Sequence, residues 1–244
     1  MMGDDNESFE RFRLTVRPEL QVEWDRVLRS GAEAQQIVEG GVMVGGTASA
    51  LYAGHRLSSN TDHLLPDLRN RFEEVLEALT EADGWRTARL QRPVLILGSL
   101  HDVEVGFRQM RRSAPVQTSE VITPFGPLRV PTLDELIGMK AILAYRRSQT
   151  RDYIDLAALS VVRGEQGAVD ALMQLDRLYP EEQTHSIRLE IAKALIEPLP
   201  LDLEQHDLSS YKGLAMEWWE WSRVHMVISA LGEALGERIV LEES

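Results

Sequence analysis

Two glycines and a short run of hard oxygen donors are the parts of this chain best suited to chemistry. Gly45-Gly46 follow the apolar triplet Val42-Met43-Val44 and lead into Thr47 to Ala53, a short helical pattern. Backbone N–H groups left uncovered at a helix start, with the helix dipole behind them, favour an anion such as a triphosphate. Asn60-Thr61-Asp62 comes next on an extended segment. The strand period of two turns residues 60 and 62 to one face, where an amide oxygen and a carboxylate can grip one hard cation. Further on, Val103, Val105 and Phe107 alternate with Asp102, Glu104 and Arg108, which sends Glu104 to the polar face of a strand. Read alone, Glu104 is more simply the wet side of that strand, and Asp62 a turn or cap residue.

A second group lies downstream. On the helix opened by Thr132, the apolar stripe is Leu133, Leu136, Ile137, Leu143 and Ala144, and Lys140 falls inside it. A lysine aimed at a core wants an anion; the alternative is a snorkelling side chain that reaches water. Asp152 and Asp155 line up with Leu156 and Leu159 on an inward-tending face, although acids also suit a first helical turn through the macrodipole. Asp155 reads as a structural partner for a basic neighbour. Arg56 and Ser58, between the glycines and the acidic segment, suit either a phosphate or a cap. His55, His63 and His101 lack metal-ligand spacing, and Glu217-Trp218-Trp219-Glu220-Trp221 reads as helix packing.

Val44-Gly45-Gly46 with Asn60-Thr61-Asp62 resembles the signature of the DNA polymerase beta-like nucleotidyltransferases, hydrophobic-Gly-Gly/Ser, a spacer, Asp-x-Asp/Glu, and a third acid on a later strand. Gly45-Gly46-Thr47-Ala48 with Leu51, Gly54-His55-Arg56 and Ser58, and the stretch from Thr132 to Leu159, are similar to the AbiEii-type branch, which includes toxins of bacterial toxin–antitoxin pairs. The resemblance implies an α+β fold, a mixed-sheet nucleotidyltransferase domain over residues 1–130 followed by a helical C-terminal domain over 131–244. It implies Mg2+ held by Asn60, Asp62 and Glu104, and an NTP substrate bound by Gly45, Gly46, Thr47, Arg56, Ser58, Lys140 and Arg151. Asp62, Lys140 and Asp152 become the catalytic residues. The implied activity is transfer of NMP to an acceptor such as the 3′ end of tRNA, with a cognate antitoxin as partner.

Asn60 departs from that signature, which has Asp there. An amide brings no negative charge, so a second cation and an activated nucleophile should both be harder to hold. The chain is then a weakly active member or an inactivated copy. Two other readings stand beside it: a nucleotide- or partner-binding pseudoenzyme, and nucleotidylation of a small molecule or a protein.

At 244 residues, 43% hydrophobic and 27% charged, the chain has the composition of an ordinary soluble protein with room for a sizeable core. It has no cysteine, hence no disulfide and no thiolate metal site. The acidic opening MMGDDNESFE has no apolar targeting core and no run is long enough to span a membrane, so a cytoplasmic protein is expected. The net charge of -13 argues against binding nucleic acid over the whole surface. A local patch remains open, because Arg86, Arg89, Arg92, Arg108, Arg111 and Arg112 cluster while Lys140, Arg146, Arg147 and Arg151 follow.

The expected elements are a helix over 17–29, a strand over 42–44, a short helix over 47–53 and an amphipathic helix over 72–79. Three strands follow in 85–108, then a hairpin over 121–130 that ends the sheet. Thr132-Leu133-Asp134-Glu135 is a capping box. Helical stretches over 155–162, 167–178, 186–196 and 213–235 complete the chain.

Overall fold

A computed structural model describes residues 17–112, 114–180, 186–205 and 207–243, so the acidic opening stretch lies outside the described residues. The chain divides into two compact units, Met1–Pro131 and Thr132–Ser244.

The first unit opens with α1 (Pro18–Ile37), whose start is favoured by Pro at the first helical position and Glu19 in the first turn. It buries Trp24, Val27, Leu28 and Ala34. Gly31 lets it close on the sheet, since an added Cβ would stand 3.1 Å from the Met43 sulfur and 3.3 Å from Thr61 Cγ2. Strand β1 (Val42–Val44) runs directly into α2 (Gly45–Ala53). The two glycines are therefore the first turn of the helix itself, two residues earlier than the pattern from Thr47 suggests. Gly45 has φ +77°, a conformation that a side chain would strain. Then come β2 (Asn60–Leu65), α3 (Phe72–Glu81), β3 (Trp85–Gln91), β4 (Leu95–Leu100) and β5 (Val103–Gln109).

These strands make one mixed sheet in the order β1-β2-β5-β4-β3. Only β2 and β5 pair in parallel. One face packs against α1 and α3 through Ala34, Val38, Phe72, Val75, Leu79, Ile96, Leu100, Val105 and Phe107. Each fully buried Val, Leu, Ile or Phe side chain among them contributes about 1.5–3 kcal/mol. The other face carries the polar members of the alternation. The hairpin β6 (Thr118–Thr123) and β7 (Gly126–Pro131) does not end that sheet; it is a separate two-stranded sheet. It is pinned to α1 instead, where the Gln35 amide donates to the Arg129 carbonyl at 2.8 Å and accepts from the Arg129 N–H at 2.9 Å.

The second unit is helical: α4 (Leu133–Arg147), α5 (Thr150–Arg163), α6 (Glu165–Met173), α7 (Leu175–Leu178), α8 (Ile187–Ile196) and α9 (Trp221–Glu243). The Thr132 hydroxyl accepts from the Glu135 N–H at the start of α4, as the capping box requires. Residues 167–178 fall into two helices rather than one. The last stretch begins later and runs further than its pattern indicates, with a 3₁₀ turn at Met216–Trp218 ahead of it. Helices α8 and α9 meet almost backbone to backbone, because a Cβ on Gly232 would lie 2.6 Å from the Ile196 nitrogen. Trp218 is buried and Trp221 stands edge-on to Tyr153, so these two tryptophans pack, while Trp219 is exposed.

His63 sits on the core side of β2, stacked on Phe107 with ring centroids 5.1 Å apart. Burial depresses its pKa from 6.5 to about 3, so it is a neutral core residue. The unfolded chain binds a proton here between those two values and the folded chain does not, so stability falls as pH drops below 6.5. The expected slope is about 1.4 kcal/mol per pH unit for this one site. His63→Phe, which keeps the ring stack, should flatten the pH dependence of urea unfolding between pH 6.5 and 4 by that one-proton slope. An unchanged profile would show that His63 is not buried neutral.

Candidate functional site

In the first unit the parallel register sets Asn60 beside Glu104 and Asp62 beside Gly106. Thr61 and His63 point into the core, while Asn60 and Asp62 are half-buried and Glu104 is exposed on the opposite, open face. The two acids are diagonal neighbours there, with about 8 Å between Cα atoms by ordinary strand spacings. Gly106 makes room for Asp62, since a Cβ on it would fall 2.8 Å from Asp62 Oδ1. A Cβ on Gly45 would fall 3.6 Å from Asp62 Oδ2, so the carboxylate lies directly against the start of α2.

Hydrogen bonds tie this corner together. The Ser58 hydroxyl donates to Asn60 Oδ1 at 2.9 Å, and Asn60 Nδ2 donates to Asp62 Oδ2 at 3.4 Å. Arg108 Nε donates to Asp62 Oδ1 at 3.3 Å. The Thr47 hydroxyl donates to the Asn60 carbonyl at 2.6 Å, fastening α2 to β2. Arg56 and Ser58, both buried, press against Gly46, where a Cβ would come within 2.6 Å of the Arg56 guanidinium and 2.9 Å of the Ser58 hydroxyl. Gly45, Gly46, Thr47, Arg56, Ser58, Asn60, Asp62 and Glu104 therefore share one corner of the sheet. Sequence reasoning did not see Gly106 or the pairing of Arg108 with Asp62. The available signal was a glycine two residues after Glu104, at the strand period.

The donors in this corner suit one hard divalent cation. Asp62 and Glu104 supply carboxylate oxygens, and the Asn60 oxygen keeps a lone pair beyond the one taken by Ser58. The Asp62 side chain keeps 29% of its surface exposed while its oxygens accept from Asn60 and Arg108. Among the described residues no group of three or more His, Cys, Asp or Glu is placed to hold a metal ion.

In the second unit Lys140 is buried, its ammonium 2.6 Å from Asp155 Oδ2 and 3.3 Å from Asp152 Oδ1. The anion its position demanded is thus a pair of carboxylates from α5, and it does not snorkel to water. Asp152 Oδ2 is buried and, among the described residues, has no hydrogen-bond partner. Arg151, one residue earlier on α5, is exposed. The start of α5 is capped from far along the chain, with Asp202 accepting from the Thr150 N–H and hydroxyl, each at 2.7 Å.

A diglycine helix start beside an acid-bearing mixed sheet is the architecture of a nucleotidyltransferase. Two crystal structures from Helicobacter pylori are similar across 93% of this chain: a putative nucleotidyltransferase with TM-score 0.56 at 15% identity over 100% of that chain, and JHP933 with TM-score 0.53 at 13% identity over 96% of it. Identities that low establish the fold alone. The family of nucleotidyl transferase AbiEii toxins of type IV toxin–antitoxin systems matches residues 26–222, and the chain belongs to that family.

The chain also aligns at 29% identity over 156 residues with the mycolic acid-containing lipids exporter MmpL11 of Mycolicibacterium smegmatis, and at 29% over 173 residues with the heme uptake protein MmpL11 of Mycobacterium tuberculosis. These stretches take in 62% and 68% of this chain, which spans 16% of the length of either relative. No helix of the described residues is long and apolar enough to cross a membrane.

The Lys140 cluster generates a stability prediction. Lys140→Met leaves two buried carboxylates without their cation and should cost about 3–5 kcal/mol in urea unfolding. A loss under about 1 kcal/mol would show that the pair is not held together in solution.

Proposed function

We propose that this protein transfers NMP from an NTP to the 3′ end of a tRNA, using one divalent cation, Mg2+, held by Asp62 and Glu104 with help from the Asn60 oxygen. The observation that carries the reading is the corner where both acids and Asn60 share one face beside the diglycine start of α2. The bound Mg2+ would supply charge neutralisation between the phosphates and the two carboxylates and polarise the attacked phosphorus.

The protein's own residues have separable tasks. The first-turn N–H groups of α2, with Arg56 and the Ser58 hydroxyl behind Gly46, favour the triphosphate. Arg108 offsets the charge of Asp62. By the family's pattern, Lys140, Arg151 and Asp152 of the second unit serve the nucleotide or the incoming hydroxyl, with the Lys140 ammonium held by Asp152 and Asp155. The uncapped Asp152 Oδ2 supports that role, because a buried carboxylate oxygen without a donor retains capacity to accept a proton or a hydrogen bond. A cognate antitoxin and a cytoplasmic location follow from the same family reading.

Asn60 favours a second reading, a nucleotide-binding protein with little turnover. Its amide is hydrogen-bonded on both sides, to Ser58 and to Asp62, and contributes no charge. One comparison separates the two. Asn60→Asp, incubated with labelled NTPs, Mg2+ and total RNA, should label tRNA at least about tenfold faster than the parent chain, given what a restored metal carboxylate contributes. Labelling of protein or of small molecules but of no RNA would remove the tRNA acceptor. Tight NTP binding by calorimetry with no turnover in either form would establish the second reading, and equal turnover in both would refute the metal assignment at position 60.

A further inference from the structure

The open face of the sheet does not stop at the acids. Three rows cross it from β2 to β3: Asn60, Glu104, Ser99 and Arg86; Asp62, Gly106, Leu97 and Arg89; Leu64, Arg108, Leu95 and Gln91. Arg86 and Arg89 share that face because the register shifts between Thr87 and Arg89. Strict alternation would turn Arg89 toward the core and Leu90 outward. The irregularity reverses them, and Leu90 packs against the core. Bulges of this kind re-aim side chains beside functional sites.

The face so formed is basic at its outer end. Arg89 is exposed, and among the described residues its side chain has no ion-pair or hydrogen-bond partner. The Arg86 side chain is 70% exposed and, among the described residues, bonds Asp102, itself 70% exposed, a pairing that water largely screens. Arg108, 47% exposed, lies on β5 one row beyond Asp62 on the same face, two strands from β3, and bonds that carboxylate. Arg86 and Arg89 are about 7 Å apart along the strand and about 14 Å, three strand spacings, from β2. Guanidiniums side by side on a flat strand do not converge on one phosphate. They match a polymer whose negative charge repeats along its length, and their planar forks suit phosphate oxygens.

We propose that Arg86, Arg89 and Arg108 bind the phosphodiester backbone of a single-stranded polynucleotide, leading its end along the open face toward Asp62 and Glu104. The proposal deepens the transferase reading and rests on it for the direction in which the strand runs. It also reconciles a polynucleotide partner with a net charge of -13, because the contact is confined to one sheet face.

The test is fluorescence anisotropy with a 5′-fluorescein, unstructured 15-nucleotide RNA, read in EDTA without NTP from 50 to 300 mM KCl. An enzyme without turnover would give the same reading, so failure of the transferase assignment does not affect it. Arg86→Gln/Arg89→Gln should weaken binding about tenfold at 50 mM salt and lower the slope of log K against log salt by about 1.4, the value for two single-strand phosphate contacts. Both residues are exposed, so thermal melting should be unchanged. Arg146→Gln/Arg147→Gln, altering exposed arginines of α4, should leave binding unchanged. Equal binding by the parent chain and the β3 variant, loss only in the α4 variant, or no binding by the parent chain at 50 mM salt would each overturn the proposal. So would a phosphoserine peptide that competes for this face better than RNA of equal charge.

Discussion

The parallel pairing of β2 with β5 is the constraint on which the rest of the first unit depends. Every other pair in the main sheet is antiparallel, and this one alone brings a segment directly after α2 alongside a segment some forty residues later. Its register lays Asn60 against Glu104 and puts a residue without a side chain beneath Asp62. A slip of one position would turn the acid-bearing side into the core and the His63 side out to water. The buried stack of His63 on Phe107 opposes such a slip from the other face. Core packing and site geometry are thus two readings of one register.

Charge balance in that corner follows from the same geometry. A helix start attracts an anion, yet Asp62 lies against it, and a carboxylate and a phosphate cannot share the space without a counter-charge. Asp62 and Glu104 stand against Arg56 and Arg108, so the corner is near neutral before any ligand arrives. An aspartate at position 60 would tip it negative and demand more cation. With asparagine there, the relay from Ser58 through Asn60 to Asp62 and Arg108 is satisfied within the protein. The second unit solves a similar problem differently. Lys140 is surrounded by two acids in a dry interior, an arrangement that seldom stabilises a fold more than apolar packing would. Asp152 Oδ2 makes it worse, since an unmet buried acceptor costs about 1–3 kcal/mol.

Much of this was legible in the residues, and the failures have physical causes. Alternation in Val103 to Arg108 and the amphipathic run from Phe72 located β5 and α3, because each has one wet and one dry side. Lys140 within an apolar stripe announced a buried cation. What periodicity cannot report is register. Gly106 matters only because Asp62 lies across it, and Arg108 only because it reaches that carboxylate from the neighbouring strand. The hairpin was recognisable as a hairpin, yet the hydrogen bonds that keep it apart from the main sheet, and the amide of Gln35 that holds it to α1, are non-local. The cap that Asp202 supplies to α5 comes from some fifty residues away and has no local signature.

The β3 irregularity is the clearest case of function written in backbone rather than in composition. An arginine-rich segment on the last strand of a sheet has an ordinary explanation, since charged side chains keep an unpaired edge from aggregating. Edge protection requires only that the charges be exposed; it is indifferent to which face they take. A regular strand would have met it with Arg86 and Arg89 on opposite faces. The shifted register instead aligns both with the rows that end at Asn60 and Asp62, at the expense of one ladder position. A feature that costs sheet pairing and adds nothing to edge protection is accounted for by what the common face does, and that face ends at the acids.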